Sequence, residues 1–141
     1  MKVSAKTEYA CIAVLELAAG YASDEPVRIR TIAERHDVPA RFLVQILLQL
    51  KGAGLVVSTR GAAGGYQLSR PPDEITLATV MEVIEGPSEG GSSGNANSVA
   101  ARVLGDVWRE ITTLEQEMLR ALTFTDLIER AQQQDESMYY I

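Results

Sequence analysis

Apolar residues recur at three- and four-residue spacing from residue 4 to about residue 20 (Tyr9, Ile12, Ala13, Leu17), which is the period of an amphipathic helix. Gly20 and the Asp24-Glu25-Pro26 that follows end it. A shorter helical segment, residues 30 to 35 with Ile32 and Ala33 inward, is broken by His36-Asp37-Val38-Pro39, because the residue before a proline avoids the helical region. Pro39 suits the first turn of the next helix, where its missing N–H is not needed. That helix continues to about Lys51 with Leu43, Ile46, Leu47 and Leu50 on one face, and Gly52 and Gly54 close it. The period then changes. Leu55-Val56-Val57-Ser58-Thr59 is short and β-branched, Arg60-Gly61-Ala62-Ala63-Gly64-Gly65 is a glycine-rich tip, and Tyr66-Gln67-Leu68 resumes extended chain, so a hairpin with a loop longer than two residues is expected. After Pro71-Pro72, Thr76 caps a helix that carries Leu77, Val80, Met81 and Ile84 inward.

Residues 86 to 98 have the composition of a flexible loop. Beyond them Val103, Val107, Trp108, Ile111, Leu114, Met118 and Leu122 mark the longest helix, from residue 99 to about 122. Its stripe is longer than one small domain needs, so Val103, Val107, Ile111, Leu114 and Met118 are expected to face a second copy of the chain. A short helix capped by Thr125, with Leu127 and Ile128 inward, precedes a polar tail. The fold class that results is mainly α with a small β-hairpin wing: a winged helix-turn-helix domain over 1–85, a loop over 86–98, a dimerisation helix and short C-terminal helix over 99–132, and a tail over 133–141.

Composition changes this picture little. In 141 residues, 46% are hydrophobic and 23% charged, values ordinary for a soluble globular chain, and no apolar run is long enough to span a bilayer, so a cytoplasmic protein without membrane contact is expected. The net charge of −6 argues against a nucleic-acid partner until its distribution is read. Residues 1–70 hold nine Lys or Arg against six Asp or Glu, and residues 71–141 hold four against thirteen. The basic half is the half with the helices and the wing, so a polyanion can be held at one end of the molecule and repelled at the other.

With Leu43, Ile46, Leu47 and Leu50 inward, the third helix turns Arg41, Val44, Gln45 and Leu48 outward, residue types that read base edges from the major groove. Arg41 can fork onto guanine, Gln45 onto adenine, and Val44 can touch a thymine methyl. Over residues 1 to about 86 and again from about 104 to 131, the chain resembles the Rrf2 (Rrf-two) family of bacterial transcription regulators, the IscR, NsrR and CymR type. The resemblance is carried by Ser4-Ala5-Lys6-Thr7-Glu8-Tyr9-Ala10, Ile32-Ala33-Glu34-Arg35, Phe42-Leu43-Val44-Gln45-Ile46-Leu47, Leu50-Lys51-Gly52-Ala53-Gly54-Leu55-Val56 and Ser58-Thr59-Arg60-Gly61-Ala62-Ala63-Gly64-Gly65-Tyr66-Gln67-Leu68. It implies a winged helix-turn-helix regulator of double-stranded DNA. It further implies that Arg60, with Gly61 beside it, is the arginine that enters the minor groove, and that Ser4, Lys6 and Tyr9 lie near the phosphate backbone. Tyr9 suits core packing equally well. Cluster-binding relatives carry an acidic residue where Val44 stands, so their operator sequence does not transfer.

A second departure concerns iron. Members that hold a [2Fe-2S] or [4Fe-4S] cluster do so through three cysteines between the fourth helix and the long helix, with a fourth ligand from elsewhere. This chain has one cysteine, Cys11, and one histidine, His36, neither of them within residues 86–108. Cys11 reads as a small buried apolar residue of the first helix and His36 as exposed and inert, so no cluster and no other cofactor is expected. No nucleophile–base pair is present, hence no enzyme. The wing glycines lack the Gly-Lys-Ser or Gly-Lys-Thr ending of a phosphate-binding loop.

The favoured reading is therefore a homodimeric regulator, a repressor at a palindromic operator, answering to an unidentified small-molecule or protein effector. Two others stay open: a winged-helix module that binds a partner enzyme, and an architectural DNA binder without sequence preference.

Overall fold

In the computed structural model, residues 1–87 and 98–139 are described, the side chains of 137–139 apart. Most of the stretch expected as a flexible loop, and the last two residues of the expected tail, lie outside the described residues. Helices α1 (Ala5–Ala19), α2 (Ile29–His36) and α3 (Ala40–Gly52) are followed by strands β1 (Val56–Thr59) and β2 (Gly65–Leu68), and then by α4 (Leu77–Glu85), α5 (Val99–Ala121) and α6 (Phe124–Tyr139). The chain is mainly α with one antiparallel hairpin.

Helix α1 is the hub, packing on α3, α4 and α6. Ser4 caps it: its Oγ accepts the Thr7 N–H at 3.1 Å, satisfying a donor that has no partner within the helix. Its inward face, Ala10, Ala13, Val14, Leu17 and Ala18, meets Leu43, Ile46, Leu47 and Leu50 of α3, all of them buried. The alanines let the two helix axes approach closely. Between α2 and α3, Asp37 takes a left-handed conformation (φ 53°) and buried Val38 anchors the turn. Pro39 is the N-cap of α3 rather than a residue of its first turn: its carbonyl accepts from Phe42 N–H at 3.1 Å and from Leu43 N–H at 3.4 Å. The fixed proline φ serves either position.

In the wing, Val56 pairs with Leu68 and Thr59 with Gly65, and the tip closes through Gly64 N–H to the Gly61 carbonyl at 3.0 Å. A third segment joins it. Val27 exchanges both backbone hydrogen bonds with Tyr66, at 2.9 and 2.8 Å, just ahead of α2. Gly65 makes this approach possible: it has φ +153°, and a Cβ there would stand 2.6 Å from the Val27 carbonyl carbon. Lys51 Nζ donates to Ser58 Oγ at 2.7 Å, tying the end of α3 to β1.

The core is closed by the far end of the chain. Leu77 N–H donates to the Leu122 carbonyl at 3.0 Å and Phe124 N–H to the Ile75 carbonyl at 2.9 Å. Together they seat Phe124, fully buried, in the core, with Leu127 and Ile128 packed beside it. The cap of α6 is Thr123, not Thr125. Thr123 Oγ1 accepts the Asp126 N–H at 3.1 Å while Asp126 Oδ2 accepts the Thr123 N–H at 3.0 Å, a reciprocal box that fits the three-residue spacing. Nor does a tail begin at residue 133, because α6 runs to Tyr139. Residues 129–136 contain no Gly or Pro and are rich in Glu, Gln, Arg and Ala, which propagate a helix beyond its last buried contact.

Helix α5 is anchored at its C-terminal end. Leu119 is its one buried residue, and Met1's amino group lies 3.5 Å from Glu115 Oε1. The side turned toward the body carries half-buried Ala101, Gly105, Glu115 and Gln116, whereas Val99, Val103, Val107, Ile111, Leu114 and Met118 stand on a different side, all exposed. This is the reverse of a helix packed on its own core. No helix among the described residues is long and apolar enough to cross a membrane.

Candidate nucleic-acid interface

Burial of Leu43, Ile46, Leu47 and Leu50 fixes the rotation of α3, so Arg41, Val44, Gln45 and Leu48 all face solvent. At about 100° per residue these four lie within an arc of roughly 100°, and from Arg41 to Leu48 they span about 10 Å of helix axis. Phe42, 38% exposed, flanks the face. The Arg41 guanidinium lies 5.1 Å from the Phe42 ring centroid, and the Tyr9 ring packs tilted against the other aromatic at 6.0 Å. Such a stack restrains an arginine that would otherwise sample many rotamers. Tyr9 is half-buried, so the structure gives it a packing role on α3 whatever else its hydroxyl meets.

The other expected contact residues divide by location. Arg60 is exposed at the wing, immediately before Gly61 (φ +104°) starts the tip turn. Lys6 is exposed on the first turn of α1. Ser4 is engaged: besides capping α1 it donates to Glu85 Oε1 at 2.8 Å, and the buried Thr7 Oγ1 donates to the same oxygen at 2.6 Å. These donors hold the Glu85 carboxyl below the usual glutamate range. Among the described residues none of Lys6, Arg28, Arg41 and Arg60 has a carboxylate within ion-pairing distance, whereas Arg30, Arg35 and Arg109 do. Unpaired cations on and around a helix face that carries no acidic residue are what a polyanion requires.

Sequence reasoning missed Arg28 and Phe42. Arg28 joins Ile29, Ser58, Arg60 and Tyr66 in lining a shallow groove between the start of α2 and the wing. Only the Val27–Tyr66 pairing brings it there, and nothing local announces that pairing. Phe42 is marked by a large aromatic off the buried stripe. His36 is exposed, as expected, but it is not without a partner: its Nε2 lies 3.1 Å from Glu16 Oε2, and Glu16 also receives Arg35.

Cys11 is half-buried on α1, and its thiol is pushed up to about 11, first by burial and then by the charges of Glu8 and Glu85. A thiol so disposed is a poor metal ligand and a poor nucleophile at neutral pH. With a single histidine turned to Glu16 and no group of three or more His, Cys, Asp or Glu arranged to hold a metal among the described residues, the residues present do not fit an iron-sulfur cluster.

Comparison with known proteins gives consistent matches. A family profile, Rrf2, described as an iron-dependent transcriptional regulator, matches residues 3–130. CymR of Bacillus subtilis, an HTH-type transcriptional regulator, is 33% identical over 142 residues, covering 100% of both chains. IscR of Cereibacter sphaeroides is 31% identical over 135 residues, covering 91% of this chain and 87% of its own. Among solved structures, that of CymR, described as the global cysteine regulator of B. subtilis, superposes with a TM-score of 0.84 at 32% identity, covering 92% of this chain and 98% of its own. The structure of T. potens IscR gives 0.77 at 34% identity, covering 93% and 88%.

Proposed function

This chain belongs to the Rrf2 family of DNA-binding transcription regulators, and from that premise we propose that it acts as a homodimer that reads a palindromic operator through α3 and the wing and represses by occupying the promoter. The observation that carries the reading is the outward face of α3: two groups with base-edge hydrogen-bonding capacity, Arg41 and Gln45, beside apolar Val44 and Leu48, with the Phe42 ring the one neighbour that holds the Arg41 guanidinium among the described residues. Lys6 supplies phosphate contact from the start of α1, and Arg60 enters the adjacent minor groove with Gly61 allowing the backbone to come close.

The exposed stripe of α5 supports the dimer. Val103, Val107, Ile111, Leu114 and Met118 are between 39% and 64% exposed, and a two-fold partner that presents the same stripe covers them without adding a polar group. A two-fold protein reads a two-fold site, with half-site centres separated by about one helical turn or a multiple of it. Regulation proceeds without a cluster, through an effector of another kind.

Selection of bound duplexes from a random pool tests this. An inverted repeat is expected, protected as one footprint. A consensus without two-fold symmetry would overturn the dimeric reading, and absence of any consensus would leave an architectural binder or a protein-interaction module.

A further inference from the structure

The outward face of α3 contains an apolar pair that hydrogen-bond readout does not use. Val44 is 43% exposed and Leu48 is 57% exposed, four residues and so about one turn apart, on the same arc as Arg41 and Gln45. Neither belongs to the buried core, whose α3 members are Leu43, Ile46, Leu47 and Leu50. Two branched aliphatic side chains left in water on a helix face that also carries Arg41, with Lys51 following on the same helix, are costly unless something apolar meets them. The surroundings identify what that is. Arg41 and Lys51 make the surroundings cationic and the amide of Gln45 adds hydrogen-bonding capacity on the same arc, so the occupant is a polyanion that exposes small apolar groups at intervals of a few ångströms. In the major groove of B-DNA the one such group is the C5-methyl of thymine.

We propose that Val44 and Leu48 make thymine methyls a specificity determinant of the operator, at two positions in each half-site, and that Leu48 is a base-selecting residue in its own right. The proposal rests on the major-groove placement of α3 argued above and adds a substrate class to it: half-sites in which thymines flank the pairs read by Arg41 and Gln45. Helix rise separates Val44 and Leu48 by about 6 Å, so the two methyls lie about two base steps apart, given a step of about 3.4 Å. The contact is with the methyl and not with the hydrogen-bonding edge, so 5-methylcytosine presents the same group to Leu48 that thymine does.

The test removes the methyl and nothing else. In the selected operator, each thymine in turn, together with its symmetry mate, is replaced by deoxyuridine, and affinity is measured for the wild-type chain and for Val44→Ala, Leu48→Ala and Gln45→Ala. Each methyl is worth about 4-fold, the value of one apolar carbon taken out of water, hence about 16-fold for a symmetric pair. Two positions per half-site are expected to respond. One should lose its sensitivity in Val44→Ala and the other in Leu48→Ala, while Gln45→Ala weakens binding but keeps both responses. Equal sensitivity to deoxyuridine in wild type and both alanine variants would overturn the proposal, as would insensitivity throughout. In either case the regulator reading survives if Gln45→Ala still relaxes the consensus. Failure of the selection to yield any consensus would overturn both.

Discussion

Leu114→Glu is the perturbation that bears most directly on assembly. Leu114 is 64% exposed near the middle of the α5 stripe. Full burial of a leucine side chain is worth about 1.5 to 3 kcal/mol, so covering the exposed two-thirds contributes about 1 to 2 kcal/mol per protomer. Around a two-fold axis the residue counts twice, giving about 2 to 4 kcal/mol before the cost of facing two carboxylates into an apolar seam. At about 1.4 kcal/mol per decade the dimer dissociation constant rises at least 30-fold. Sedimentation equilibrium across the micromolar range should report about twice 15.3 kDa for the wild type and a mass close to 15.3 kDa for the variant. Thr113→Glu, one residue away but off the stripe, should behave as wild type. The fold of the protomer is expected to persist, since Leu114 lies outside its core, so circular dichroism should be nearly unchanged. A wild-type chain that sediments as a monomer, or a Leu114→Glu dimer as tight as the wild type, would refute the reasoning.

Phe124→Ala should cost about 3 to 5 kcal/mol in denaturant unfolding, because Phe124 is fully buried and truncation leaves a cavity at the junction of α4, α5 and α6. Glu85 makes stability pH-dependent. Its carboxyl is held below the ordinary range by Thr7 and Ser4, so its contribution is complete above the unfolded value and is lost as pH falls through the folded value; Glu85→Gln should flatten that part of the acid limb of a stability–pH curve. Cys11, whose thiol is raised to about 11, should alkylate slowly in the native protein at pH 8, and Cys11→Ser should leave DNA affinity unchanged before and after peroxide treatment.

Much of the candidate site was legible because α3 declares its own rotation. Four buried aliphatic positions at helical spacing leave one outward arc, and reading them off the chain identifies Arg41, Val44, Gln45 and Leu48 without knowledge of any neighbour. The wing was legible through its glycines. What escaped depends on pairing between distant segments. Phe124 follows directly on the break after α5, where no period exists to assign it a face, and only the pairing of residues 75–77 with 122–124 shows that it enters the core. The third strand of the wing is a single residue, Val27, too short to leave a pattern, and Arg28 goes unnoticed with it. The clamp of Glu85 on Ser4 and Thr7 joins residues that are 81 and 78 positions apart. The extent of α6 was missed for a different reason: its outer half is set by local propensity, and apolar periodicity is blind to a helix that buries nothing.

The central claim is that the outward face of α3 reads sequence while the start of α1 holds phosphate, and the ratio of specific to random DNA affinity tests it most directly. On the selected operator, Gln45→Ala should cost about 1 to 3 kcal/mol and leave random-DNA affinity unchanged, so that the ratio collapses. Lys6→Ala should weaken operator and random DNA equally, preserve the ratio, and lower the salt slope by about 0.9 for each phosphate that is no longer neutralised, which is about 1.8 for the two protomers. If Gln45→Ala instead lowers both affinities alike, α3 does not read base edges and the central claim is wrong.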